Sequence, residues 1–341
     1  MERLYIILTV LCLITSCSHD VIKDTSGKRE ICFEATVLTK GTMTTTDDLE
    51  KFYATAYSLS VESPDNSNLA DLDLFFKDVE FEKNGNAFYS YPVYYWPDVR
   101  NIIFIVWSPS IDEVGMTYSM ETITMNNGNT NFCFFKDITP KANISEQLDL
   151  LFSLGVGKDG DSDKDEDQIY DGILGVHEDN ASLQFQHALS CIQIKAKGND
   201  NYNYKVKGIR IANVYGTANY CLVGGCVDYS NITSYESVYE NPIEFSGEKV
   251  SVMPSETDYA FLLPQTLTAW NPNDPNSVGA YVAVLLHAED VNGDVVYPKS
   301  GGENDYQWSA IPISGEWDDA TTYTYTLDFS EGGFGYPAPQ N

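Results

Sequence analysis

The sequence predicts an all-β protein. Apolar and polar residues alternate with period two in run after run, and the β-favouring residues Tyr, Thr, Val and Ile dominate those runs. Asn-Gly, Gly-Gly and Pro-containing steps separate them, and long runs of period 3.6 are nearly absent. Many short strands with regular turn signals point to β-sandwiches.

The chain opens on Glu2 and Arg3, an apolar run from Leu4 to Ile14, then Thr15, Ser16 and Cys17. A charged start, a hydrophobic segment and a small-residue cleavage zone make residues 1–16 a secretion signal. The run is too short to span a bilayer, which needs about 20 apolar residues. Ile14-Thr15-Ser16-Cys17 fits the lipobox of bacterial lipoproteins, so Cys17 is the expected acylated first residue of the mature chain. The other reading, an ordinary signal with an incidental Cys, leaves Ser18 onward free in solution. No later apolar run approaches spanning length, so lipid is the membrane attachment this reading offers, and residues 17–30 form its lipidated tether.

The remaining length, about 325 residues, suggests two domains, each able to bury a core. The expected division is 31–178 and 179–332, followed by a Gly- and Pro-rich tail over 333–341. Cys32 to Leu38 reads as the first strand, and Asn84-Gly85-Asn86, Asn127-Gly128-Asn129 and Asn292-Gly293-Asp294 are turn candidates of the hairpin kind. Lys158 to Asp167 is polar throughout and reads as a solvated loop near the end of the first domain. Its alternate acids Asp159, Asp161, Asp163, Asp165 and Asp167 also suggest a calcium loop, but the EF-hand pattern needs Gly at the sixth position, where Lys164 or Glu166 stands. Leu183, Phe185, His187, Leu189 and Cys191 start one apolar face, and Ile192, Ile194 and Ala196 continue in the opposite phase, which implies a bulge or bend. A second slip falls at Gly208, between Val206 and the pair Ile209 and Ile211. Near the end, Tyr323, Tyr325, Leu327 and Phe329 alternate with Thr322, Thr324, Thr326 and Asp328.

Of seven Cys, Cys12 leaves with the signal and Cys17 takes lipid, so five remain and cannot all pair. Cys32, Cys133 and Cys191 lie in apolar strand-like runs and read as small buried hydrophobes. Cys221 and Cys226 flank a hairpin candidate. A two-residue Gly224-Gly225 turn makes them diagonal neighbours, too far apart to bridge easily, whereas a four-residue loop puts them opposite each other.

The net charge of −30 repels phosphate backbones, which disfavours nucleic acid, and none is expected as a partner. There is no HExxH, CxxC, GxSxG or Rossmann fingerprint, and Gly155-Val156-Gly157-Lys158 lacks the residues a phosphate loop needs. The four histidines have no metal-ligand spacing, and His187, inside a strand, reads as a core His bonded to backbone. No cofactor or catalytic group is expected.

Several short blocks follow one another in a particular order. They are Phe33-Glu34-Ala35, Tyr94-Tyr95-Trp96-Pro97, Ile102 to Pro109 (IIFIVWSP), Asp149-Leu150-Leu151-Phe152, Leu183 to Ser190 (LQFQHALS), Ala260 to Gln265 (AFLLPQ), and Glu316-Trp317 before Tyr323-Thr324-Tyr325. In this order after a lipobox, the chain resembles the fimbrillin family of Bacteroidales. The resemblance implies a type V pilus subunit: a lipoprotein of the outer membrane, built of two tandem transthyretin-like β-sandwiches without cofactor, polymerising by strand exchange. Proteolysis behind an Arg would remove the first strand and open a groove that a strand of the next subunit fills. At the family's Arg position this sequence has Lys40, and Arg29 is the only Arg between Cys17 and Arg100. The expected donor strand is Thr321 to Phe329, with Tyr323, Tyr325 and Leu327 on its apolar face. The expected function is that of a cell-surface structural or adhesive pilus subunit, an anchor or a tip. Its partners would be other pilus subunits and a host or bacterial surface ligand such as a glycan. The alternative is a lipid-anchored glycan binder that never polymerises, with Trp270, Trp308 and Trp317 as an aromatic platform.

Overall fold

The computed structural model describes residues 30–38, 45–58, 73–97, 102–114, 116–124, 130–157, 181–221, 225–254, 259–274, 276–299, 301–302 and 305–339. Strands carry almost all of the regular structure among them, as the period-two pattern predicts; helix is confined to one turn at Ile111–Val114 and a 3-10 turn at Ile144–Glu146.

The first nine strands are β1 (Phe33–Val37), β2 (Lys51–Ser58), β3 (Asp73–Asn84), β4 (Ala87–Ser90), β5 (Ile102–Ser108), β6 (Thr117–Thr124), β7 (Thr130–Ile138), β8 (Leu151–Gly157) and β9 (Ala181–His187). Seven of them form a ladder in the order β1-β4-β3-β2-β5-β8-β9 that returns to β1. The sequence leads one to expect a sandwich here, but hydrogen bonding closes the sheet into a barrel, because β1 sits between β4 on one side and β9 on the other. Closure removes the edges an open sheet would expose. The barrel core is aromatic, with Phe33, Phe52, Phe81 and Phe104 all buried. The turn at Asn84-Gly85-Asn86 joins β3 to β4, with Gly85 at φ +67°.

The hairpin β6–β7 leaves the barrel and pairs with β11 of the second unit. That unit contains β10 (Ser190–Lys197), β11 (Tyr202–Cys221), β12 (Gly225–Phe245), β13 (Lys249–Ser251), β14 (Ala260–Leu262), β15 (Gln265–Leu267), β16 (Tyr281–Asp290), β17 (Val295–Tyr297), β18 (Gln307–Pro312), β19 (Gly315–Trp317), β20 (Thr322–Asp328) and β21 (Tyr336–Pro337). One sheet is built on β10, with β13 and β14 along one edge and β20 along the other. The larger sheet runs β21-β18-β16-β11-β7-β6, with β12 on the other side of β11 and β17 on β16. Between the two sheets lies a core that includes Ile192, Ile194, Val206, Val282, Leu286 and Leu327.

The two phase changes read from the sequence have different causes. At Gly208 the cause is a bulge: β11 and β12 shift register between Val206 and Gly208. A Cβ there would come 2.7 Å from the Ser237 carbonyl, so only glycine lets the strands approach. At Ala188-Leu189 the cause is a crossover between sheets. β9 pairs with β1 and β8, whereas β10 pairs with β13, β14 and β20. β9 therefore belongs with the barrel, although it lies on the C-terminal side of the expected division at 178/179.

Of the two turn geometries left open between Cys221 and Cys226, neither joins them by a bridge: Cys221 stands opposite Gly225, and Cys226 faces Tyr220. Cys221 is disulfide-bonded, whereas Cys226 is a buried free thiol that burial pushes up to about 12. The Gly- and Pro-rich segment from 333 packs onto the second unit. Phe334 stacks on Tyr297 at 5.1 Å, and β21 pairs with β18 through Ser309 and Ala310.

Candidate functional site

The site the sequence points to is the first strand and the slot it fills. β1 joins β9 in parallel register over five pairs, from Phe33↔Ala181 to Val37↔Phe185, but meets β4 at the single pair Phe33↔Phe88. Its entry is fastened by the Ile31 amide, which donates to the Tyr94 carbonyl at 2.8 Å, and by a bridge between Glu30 and Tyr95. At its exit, the Leu38 amide donates to the Phe185 carbonyl at 2.9 Å and the Val37 amide to Thr46 Oγ1 at 2.9 Å. The chain resumes in a turn in which the Thr45 amide and hydroxyl both donate to Asp48 Oδ2, at 2.9 and 2.7 Å. Those bonds, hydroxyl first, hold the Asp48 carboxyl below its ordinary value.

Inside the slot, the Phe33 ring meets Phe81 and Phe104 edge-on, each at 5.0 Å, and Phe52 at 5.8 Å. Ile31, Phe33 and Val37 are all buried. Full burial of such a side chain contributes about 1.5–3 kcal/mol, so the three together contribute roughly 5–9 kcal/mol as an upper estimate. Tyr89 lies nearby on β4, its phenol pushed up by burial and, to a lesser degree, by Cys32 and Glu30. Taking β1 out would leave an apolar trough lined by aromatic rings and bounded by unpaired backbone of β9.

Cys17, Arg29 and Lys40 lie outside the described residues, as do Asp159, Asp161, Asp163, Asp165 and Asp167. Lys40 falls between two fastened points, Leu38 and Thr45. Among the described residues, no group of three or more His, Cys, Asp or Glu is placed to hold a metal ion, and no helix is long and apolar enough to cross a membrane.

The expected donor segment is part of its own sheet. β20 pairs in parallel with β10 from Cys191↔Thr322 to Lys197↔Asp328. The Thr321 carbonyl accepts from the Cys191 amide at 2.9 Å, and the Phe329 amide donates to the Lys197 carbonyl at 2.7 Å. Leu327 and Phe329 are buried, and the Tyr325 hydroxyl accepts from Trp317 Nε1 at 2.8 Å. The opposite edge of β20 has no partner strand among the described residues.

Sequence reasoning missed two pairings. His187 does not bond to backbone as expected; its Nδ1 lies 2.7 Å from Asp149 Oδ2, with both side chains buried. The two residues come from two of the blocks in the ordered series, and the pair sits where the chain crosses from barrel to second unit. His287 Nε2 lies 2.9 Å from Glu289 Oε1, which also receives Lys205 at 3.0 Å. The signal for this pair is the i, i+2 spacing on one strand face. The three late tryptophans form no platform. Trp317 lies in the core between the sheets, Trp270 is buried against Tyr281, and Trp308 is covered by the Arg210 guanidinium at 4.2 Å.

Similarity to known proteins runs over nearly the whole fold. A crystal structure of a fimbrial protein from Bacteroides vulgatus aligns with a TM-score of 0.53 at 16% identity, covering 88% of this chain and 95% of that one. Candidate cell adhesion proteins from Bacteroides ovatus and Bacteroides uniformis align at 10% and 13% identity, both with TM-scores of 0.42. They cover 89% and 91% of this chain and 93% and 95% of their own. No curated protein matches the sequence. The family model described as fimbrillin-like matches residues 36–335, which include the last two residues of β1, the rest of the barrel and all but the last strand of the second unit. With that span matched, the chain belongs to the fimbrillin-like family.

Proposed function

We propose that this protein is a cell-surface lipoprotein of the outer membrane, held by acyl chains on Cys17, that serves as an uncut, anchor-like structural or adhesive subunit of a type V-like pilus. Its two units are read as transthyretin-like, and strand pairing favours a division at Ala188-Leu189 over one at 178/179.

The observation that carries the reading is that β1 closes its own barrel. A strand already seated through five register pairs and three buried apolar side chains competes intramolecularly, at high effective concentration, with any incoming donor. Exchange therefore requires a cut at or near Lys40 that frees β1; a cut at Arg29 would release the lipid and leave the slot filled. A stalk or tip role, with β20 or its flanks donated, is the alternative. It asks β20 to leave a full ladder with β10.

Peptide mapping of protein taken from the cell surface tests the proposal. Recovery of residues 30–38 in one chain with the remainder is expected, and a mature start at Gly41 would overturn the anchor reading. Size exclusion before and after trypsin-like treatment gives a second readout, since a ladder of oligomers appearing only after cleavage marks a strand-exchanging subunit. Cys17→Ala is expected to abolish labelling by a radiolabelled fatty acid and to release the protein or trap it as precursor. Continued labelling would sink the lipoprotein assignment.

A further inference from the structure

The long strand β12 carries a distortion far larger than a one-residue bulge. Its register against β11 places Ile243 opposite Val206 and Val238 opposite Gly208. One residue of β11, Lys207, therefore faces four of β12: Tyr239, Glu240, Asn241 and Pro242. The loop so formed is one wall of an open groove of about 850 Å³, within the size range of small-ligand sites. Bulges of this kind re-aim side chains next to functional sites.

Both walls are held in place. Opposite the bulge, Asn143 Oδ1 accepts from Ser237 Oγ at 2.8 Å and Ser145 Oγ at 2.9 Å, while the Glu236 amide donates to the Ala142 carbonyl at 3.0 Å. On the bulge, the Tyr239 hydroxyl donates to the Val252 carbonyl at 2.6 Å. Glu236 is oriented by Arg210 Nε at 2.9 Å. Val238, Ile243, Met253 and Pro254 supply apolar surface, whereas the side chains of Ser234, Glu240 and Asn241 have no hydrogen-bond partner among the described residues. The bonds that hold the backbone of both walls spare a ligand the cost of ordering them.

We infer that this groove binds a neutral saccharide. A carboxylate accepts from paired sugar hydroxyls, an amide and a hydroxyl both donate and accept, and the apolar residues take the C–H face of a ring. Anionic ligands are disfavoured, because Glu236 and Glu240 line the groove and, among the described residues, no Lys or Arg does. An extended peptide is disfavoured too, because the bulge breaks the edge of β12 and Pro242 has no amide to donate. The inference does not depend on whether the chain polymerises or carries lipid.

The test uses the mature chain purified in detergent, first on a printed array of neutral glycans, then by saturation-transfer NMR with the best hit. Saturable binding is expected, weakened about tenfold or more by Glu240→Ala combined with Asn241→Ala, since two hydrogen-bonding groups are lost. Both residues are exposed and unbonded, so circular dichroism should be unchanged, and Thr324→Ala on the opposite sheet should bind as the parent does. No binding to any arrayed neutral glycan, binding that survives the double substitution, or binding only to a poly-lysine control would overturn the inference.

Discussion

At the scale of single residues, Phe33 is the most consequential side chain of the first strand. It is fully buried between Phe81 and Phe104, and removing a buried Phe ring costs about 3–5 kcal/mol. Phe33→Ala should lower stability by that amount in urea titration, with the loss read from the barrel tryptophans Trp96 and Trp107. The turn after the strand has a pH signature. The Asp48 carboxyl is held below its ordinary 3.8 in the folded protein, so its stabilisation is present above that value and disappears as pH falls through the lower folded-state value. Asp48→Asn should therefore be less stable than the parent at neutral pH and equal to it in strong acid, as measured by thermal melts across pH. For the cysteines, non-reducing peptide mapping should find Cys221 in a disulfide. Cys226 should be alkylated only after denaturation. The alternation in the sequence marks Phe33 as apolar and on a strand. It carries no information on Asp149 and His187, whose contact spans 38 residues and depends on how β8 meets β9.

At the scale of elements, the sequence shows strands and slips more readily than partners. The reversal of phase after His187 is visible in the sequence, but whether it marks a bulge or a change of sheet depends on which strands are hydrogen-bonded on either side. Gly208 was the more legible of the two, because a glycine at a slip has one common physical use. The four-residue excursion at Tyr239–Pro242 left no such mark beyond Pro242 itself. β20 has a testable asymmetry. One edge is laddered to β10 and the other faces no strand among the described residues, so its amides should fall into two alternating classes in hydrogen exchange. The protected class should be those that donate to β10. Uniform protection along Thr322–Asp328 would mean that a further strand covers the free edge.

For the whole molecule, the feature that matters is how the barrel and the second unit share residues. The β6–β7 hairpin comes from the barrel half of the sequence but extends the sheet of β11, and a mixed cluster lies beneath it. Ile105, Trp107 and Leu150 from one side meet Leu189, Ala218, Tyr220 and Leu263 from the other. The two units should therefore unfold in one calorimetric transition. Leu150→Ala, which removes a fully buried side chain of that cluster, should lower stability by about 2–5 kcal/mol and begin to separate the transition into two. The all-β class was legible because period-two alternation is a local property. Barrel closure was not, because it rests on β1 meeting β9 across most of the first half of the chain, as the Thr36 to Leu183 hydrogen bond shows.

The parallel setting of β1 on β9 also decides how the molecule bears tension. A pull applied at Glu30 draws β1 along its own axis from its N-terminal end, while the resisting chain leaves β9 from the C-terminal end at His187. The two strands are then loaded in shear, with all five register pairs stretched together. Two antiparallel strands drawn apart from the same end would instead unzip one pair at a time. Single-molecule extension between residue 30 and the C-terminus should show a rupture force well above that for extension between residues 84 and 87, the ends of the β3–β4 turn. A subunit fastened by its first residues would meet the drag of flowing fluid with β1 and β9 loaded in shear.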